Sequence, residues 1–267
     1  MKHVLGLIII VLFIIGFSLV LTVAGNYILP SQEIRSLAKY YLYLAYNPWH
    51  RNFTVMSPEA VTSIVWDFRG LDTVFETAVF YLAIIGSIAL GRGILKYSKP
   101  SGELGLSLIV KTVTKISAVM IIAVAASIAL HGHLTPGGGF QGGATAAVAP
   151  LLILIIFSHY YLLEKGVTKD LMLFLRSLGL TGIGIVAIIV YLMALPQGIH
   201  AYVLQNQPKP DSSIGLPAYI NGQLISGTLW FFNIFEFFAV MAGFTIVFLL
   251  MTIPERAFKK EEEVERQ

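Results

Sequence analysis

The sequence has 267 residues, of which 56% are hydrophobic and only 12% charged, about half the charged share of a soluble globular protein. So little charge cannot cover a water-facing surface, and the mean hydropathy of +0.78 agrees. The composition describes an all-α integral membrane protein and excludes a cytosolic enzyme or a nucleic-acid reader, despite a pI near 9.0. The net charge of +3 is spread over short connections rather than one basic face. With no cysteine there is no disulfide framework, thiolate metal site or cysteine nucleophile.

A spanning helix needs about 20 mainly apolar residues. The first such run, Val4 to Ala24, carries no charge. It exceeds the apolar core of a signal peptide and reads as an uncleaved anchor. Further runs cover Thr73–Leu95, Leu106–Leu130, Gly142–Leu163, Leu171–Leu195 and Thr228–Ile253, giving six helices in all. Between the first two, residues 31–57 are too short and too polar to span. They begin Ser31-Gln32-Glu33, and Tyr40, Tyr41, Tyr43, Tyr46 and Trp49 suit headgroup depth. An outer-face interfacial helix ending at Pro48 is expected there; a docking surface for another subunit is the alternative.

Lys and Arg set the orientation. Arg92, Lys96, Lys99, Lys111 and Lys115 cluster around the second connection, Lys165, Lys169 and Arg176 around the fourth, and Arg256, Lys259, Lys260 and Arg266 in the tail. The third connection has neither residue, and the fifth has only Lys209. Both termini are therefore expected in the cytoplasm, the tail as a solvated end. Arg176 reads as an anchor at the start of the fifth helix. Lys111 and Lys115 share a helix face; Lys111 can snorkel to the headgroups, and Lys115, a turn deeper, is either a second anchor or a titrating group.

Glu236 is the most informative polar residue. It lies in Leu229-Trp-Phe-Phe-Asn233-Ile-Phe-Glu236, about 12 Å into the sixth helix. A charged side chain at such a depth costs at least about 2.5–3.5 kcal/mol, so it should face protein or water. Either it carries protons or ions, or it binds helices together by hydrogen bonds. At the start of the second helix, Asp67-Phe-Arg69-Gly70-Leu-Asp72-Thr73-Val-Phe-Glu76 sets Asp72 and Glu76 on one face. They can attract a cation to an outer vestibule, while Thr73-x-x-Glu76 also fits a capping box. Both can hold.

The third connection reads His131-Gly-His133-Leu-Thr-Pro136-Gly137-Gly138-Gly139-Phe140-Gln141-Gly142-Gly143. No Lys-Ser/Thr follows the glycines, so it is not a P-loop, and a His-x-His metal pair lacks further ligands. The glycines allow positive φ. Gly138/Gly142 and Gly139/Gly143 have the spacing for close helix contact. Two histidines at the mouth can pass protons. Pro150 is expected to kink the fourth helix.

Residues 131–143 resemble the signature of the B subunit (MnhB family) of Mrp-type multisubunit sodium/proton antiporters, and residues 67–76 resemble a D-F-R-G-x-D-T-x-x-E stretch near the end of the large Mrp A subunit. The resemblance divides the chain into 1–100, similar to the end of Mrp A, 101–255, an MnhB-like four-helix domain, and a charged tail, 256–267. The short A-like piece ahead of the B-like domain is similar to the Mrp-like modules of archaeal membrane-bound hydrogenase and sulfane-sulfur reductase complexes. It implies a multi-pass subunit of the cell membrane, not catalytic by itself and with no cofactor of its own. Its partners would be other Mrp-like subunits, a hydrogenase-like peripheral arm, the lipid bilayer, Na+ and H+, and no nucleic acid. Asp72 and Glu76 would then draw cations at the outer mouth, with Asp67, Arg69 and Gly70 completing the motif. His131 and His133 would relay there. Glu236 carries over by no motif; its depth alone makes it the expected intramembrane proton site, and Lys115 is placed along the ion path by its position alone. Many B subunits carry Asp where this chain has Asn233; here the acid lies about one turn on.

Overall fold

The computed structural model describes residues 2–28, 34–90 and 106–252. The basic residues Arg92, Lys96 and Lys99, the Ser31–Glu33 start of the interfacial segment, the 100/101 domain boundary and the tail 256–267 lie outside them. So do the last residues expected of the second and sixth helices. The chain divides into two compact units, Met1–Tyr40 and Tyr41–Gln267. In the first, α1 (Lys2–Ile28) is one apolar helix, continuous past the Ala24-Gly25 pair. The amphipathic α2 (Ser36–Ala45) begins there and ends within the second unit, three residues before Pro48. Backbone bonds from Val55 to Leu44 and from Ser57 to Ala45, both 2.9 Å, fold the following segment back along its last turn.

The second unit continues with α3 (Ala60–Ser63), a π-helical turn over Ile64–Phe68, and α4 (Gly70–Leu90). It goes on through α5 (Leu108–Leu130), α6 (Gly139–Ile156), the short α7 (His159–Glu164), α8 (Lys169–Ala194) and α9 (Thr228–Met251). Among the described residues, six helices are long and apolar enough to cross a membrane: the Gly6–Gly25 part of α1, then α4, α5, α6, α8 and α9. The tightest pairs are α8 with α9, α5 with α6, and α6 with α9. One buried cluster joins Val55, Trp66, Ile183, Val186, Leu229 and Phe232; a second joins Ile84, Met172, Ala242 and Ile246 at the other end.

Local chemistry sets the element ends. Ser107 and Thr168 cap α5 and α8, accepting from the backbone N–H of Val110 and Leu171. Asn206, in the α8–α9 connection, is fully buried. Its oxygen accepts from Thr228 N–H at the start of α9, and its amide donates to the Val55 carbonyl at 3.0 Å. The same connection holds a two-residue hairpin, β1 (Tyr219–Ile220) and β2 (Gln223–Leu224). Its Asn221-Gly222 turn has positive φ at both residues, as a tight hairpin turn demands.

One expected helix is two. The run 142–163 stays helical through Pro150, but the chain breaks at Phe157-Ser158, where Ser158 has φ +115°, and restarts as α7.

Candidate functional site: an acidic cavity at the start of the sixth spanning helix

The close approach of α6 to α9 begins with glycine. A Cβ on Gly139 would collide with the Asn233 carbonyl oxygen, and one on Gly143 would lie 2.7 Å from that of Phe237. This face of α6 therefore rests on the backbone of α9, while Gly142 faces Ala125 and Ala129 of α5. Gly137 and Gly138, at φ +155° and +139°, turn the chain into α6.

That contact brings α9 side chains to the N-terminus of α6, where backbone donors have no partner within the helix. Asn233 Oδ1 accepts from Gly139 N–H at 3.3 Å, and Glu236 Oε2 accepts from Phe140 N–H at 3.0 Å. Glu236 is 6% exposed and Asn233 1%. The positive end of the α6 dipole thus faces a carboxylate held by α9. Beside it lies a cavity of about 130 Å³ whose wall includes Glu236, Asn233, Gln141, Trp66, Thr73 and Glu76. It has room for a few waters and the polar partners to hold them. Trp66 stacks on Phe232 at 4.3 Å, fixing the π-helical turn to α9.

Consecutive turns of α4 serve two cavities. Thr73 and Glu76 line the inner one. Gly70, Leu71 and Asp72 line an outer vestibule of about 600 Å³ together with Asp67, Arg69, Lys209 and Asp211. Asp72 is exposed and paired with Arg69, Nε to Oδ2 2.7 Å. The Asp67 side chain is shielded from solvent, 3.9 Å from Lys209 Nζ; burial pushes its carboxyl above the usual range and Lys209 opposes this.

Several expectations need correction. Thr73 is inside α4 rather than at its cap: its hydroxyl donates to the Val65 carbonyl at 2.5 Å, so Thr73 and Glu76 form no capping box. Asp72 and Glu76 divide between the two cavities. His131 and His133 diverge. His131 closes α5 with Nδ1 3.0 Å from the Ser127 carbonyl. His133 is 2% exposed, its Nε2 2.8 Å from the Leu224 carbonyl. Burial lowers its pKa, and its own carbonyl accepts from Ser57 Oγ at 2.7 Å; it pins the loop in place. Lys115 is exposed, near the far end of the bundle from Glu236, with Nζ 5.4 Å from the Phe157 ring and 5.9 Å from that of Tyr161.

Arg176 is no interface anchor. It is fully buried, donates to the Ala239 carbonyl at 2.7 Å and stacks over Phe80 at 4.5 Å, in space left by Gly243. Trp66, Asp211 and the buried state of Arg176 escaped the sequence reading. An arginine five residues inside the apolar run Leu171–Leu195 was the available signal for the last.

Residues 109–246 match the family described as a domain related to the MnhB subunit of the Na+/H+ antiporter. A protein of Methanocaldococcus jannaschii, described only as uncharacterized, is 29% identical over 237 residues, 78% of this chain and 84% of its own length. Among solved structures, a chain of the membrane-bound sulfane sulfur reductase, an archaeal respiratory membrane complex, aligns with TM-score 0.59 and 28% identity. The alignment covers 95% of this chain and 99% of that one. A chain of the Mrp complex from Dietzia sp. DQ12-45-1b aligns with TM-score 0.56 and 16% identity, over 92% of this chain and 26% of that one. The last likeness is one of fold.

Proposed function

This chain belongs to the family of domains related to the MnhB subunit of Na+/H+ antiporters, and from that premise we propose that it forms one wall of a cation- and proton-translocating module in a larger membrane complex. The observation that carries the reading is the water-sized cavity in which Glu76 of α4 and Glu236 of α9 meet at the N-terminus of α6. Two carboxylates around a few waters can pass a proton or hold a monovalent cation, and intramembrane acids mark such paths. The outer vestibule, with Asp67, Asp72 and Asp211 against Arg69 and Lys209, concentrates cations one turn of α4 away.

Glu76 is exposed on the chain's surface, about 9 Å along α4. Lipid would not tolerate a carboxylate there, so a second membrane subunit completes the cavity on that side. Likeness to the sulfane sulfur reductase chain over nearly all of its length supports a respiratory complex, with redox chemistry in a peripheral arm and none in this chain. The positive-inside pattern supports cytoplasmic termini and a vestibule opening outward.

The test is Glu236→Gln in the intact complex, reconstituted in vesicles and assayed for Na+-dependent proton movement. Transport should fall at least tenfold while every subunit stays in the purified complex. Wild-type transport would refute the proton site, and loss of subunits together with transport would make Glu236 structural. Mass spectrometry of the same complex tests the partners. Iron–sulfur and hydrogenase-like subunits are expected; antiporter subunits alone would make it a gradient-driven exchanger.

A further inference from the structure

In the half of the bundle beyond the acidic cavity, α5, α6, α7, α8 and α9 leave an apolar groove of about 380 Å³, within the range of ligand-binding clefts. Ala118, Ala149, Leu162 and Met172 form a buried floor, while Val119 and Ile122 on its rim are exposed. The groove is open sideways, toward the hydrocarbon that surrounds a spanning helix. Pro150 and Ile153 of α6 complete one wall.

The groove runs toward a cationic, aromatic end. Lys115 lies on the same α5 face as Ala118, Val119 and Ile122, spaced by three, four and seven residues. Its ammonium stands over the Phe157 and Tyr161 rings, and Lys165 Nζ lies 5.6 Å from the centre of the same Tyr161 ring. Both lysines are exposed, and neither forms an ion pair among the described residues. Lys111, one turn from Lys115, adds a third positive charge; Lys169 lies 4.0 Å from Asp170, and among the described residues Glu164 is the remaining acid at this end. Among the described residues cations exceed acids here by four to two. The break at Phe157-Ser158 makes the arrangement possible, because it turns α7 so that Leu162 closes the groove while Tyr161 lies against the lysines.

We infer that this groove is a binding site for one anionic phospholipid, its chain lying along Val119 and Ile122 and its phosphate held by Lys115 and Lys165. An apolar trough alone would accept any hydrocarbon, including a partner's helix. The paired lysines at its end select a tail with a negative head, which a partner helix does not offer. Each cation near an anionic headgroup is worth about fivefold in binding, and the aromatic rings hold the ammonium groups at headgroup depth.

The experiment uses the whole complex in nanodiscs made with phosphatidylglycerol carrying a diazirine on its acyl chain. Illumination should place the lipid on the peptide containing Val119 and Ile122. The double variant K115Q/K165Q should lower the yield at least about tenfold, given two lost cations. The same diazirine on phosphatidylcholine should give the lower yield with either protein. Free glycerol phosphate should not compete, since it lacks the chain. Equal labelling by both lipids, or unchanged labelling of the double variant, would overturn the headgroup assignment. Lipid label on partner-subunit peptides, with none on the peptide containing Val119 and Ile122, would overturn the site itself. Ala149→Phe, which fills the groove and leaves both lysines, should abolish the label; its persistence would also count against the site.

Discussion

Glu236 Oε2 accepts the backbone N–H of Phe140 at 3.0 Å, so a side chain of α9 caps a helix start ninety-six positions earlier in the chain. The acid therefore has a mechanical task as well as any task in transport. The two separate by substitution. Gln keeps an oxygen for Phe140 N–H, and Ala leaves that part-buried donor without its side-chain acceptor, a loss of about 1 kcal/mol. Glu236→Ala should lower the thermal midpoint of the complex in detergent, and Glu236→Gln should leave it close to wild type. Equal loss in both would mean that the charge itself holds the helices together.

Close packing gives a second prediction. Gly139→Ala would drive a methyl group into the Asn233 carbonyl oxygen. Backbone cannot step aside, and overpacking of this kind costs about 1–3 kcal/mol. A Cβ on Gly184 in α8 would meet nothing within 4 Å, so Gly184→Ala should be neutral or slightly stabilising through helix propensity. Thermal unfolding of the two variants side by side distinguishes contact from mere glycine content.

Arg176 should resist conservative replacement. A guanidinium lying over the Phe80 ring and bonded to the Ala239 carbonyl has no ammonium equivalent. Arg176→Lys should cost about 2 kcal/mol, the size of a desolvated cation–π contact, and reduce recovery of assembled complex. An arginine that merely anchored the interface would accept lysine without loss.

His133 sets a pH dependence. Burial holds its pKa below 6.5 in the folded chain, so the native state prefers the neutral ring. Its contribution is complete above the unfolded value of about 6.5 and is lost as pH falls toward the folded one. His159, lowered by burial as well, acts in the same direction. Asp67, raised by burial, acts in the opposite sense, its penalty growing as pH rises above 3.8. The thermal midpoint should fall between pH 7.5 and 5.5, and fall less in His133→Gln. An equal fall in both proteins would remove His133 from the account.

Orientation can be tested cleanly because the native chain has no cysteine. Asp211→Cys should react with an impermeant maleimide from outside and Glu103→Cys only from the cytoplasm. The reverse pattern would invert the vestibule.

The six spanning helices were legible because charge-free runs of sufficient length have one reading in a bilayer. The cavity was not. Glu76 and Glu236 each stood out as acids, but only the packing of α4 against α9 brings them to one space, and spacing along the chain carries no record of that. Hydropathy passed over the break at Phe157-Ser158, since apolar residues flank a change made by one backbone angle. Arg176 was misread because distance from a helix end says nothing about which face a side chain takes. His131 and His133, two apart at the end of a helix, looked like a pair, yet one closes the helix and the other is drawn inward by Leu224.

The cap on α6 also orders events in time. At about 5–20 residues per second, the ninety-six residues from Phe140 to Glu236 take roughly 5–20 s to synthesise. Throughout that interval α5 and α6 wait in the membrane with bare amides at the start of α6, and only the last spanning helix covers them. A chain halted in the 200–227 connection would lack the Asn233 and Glu236 acceptors, so insertion of α9 is the step that completes the start of α6.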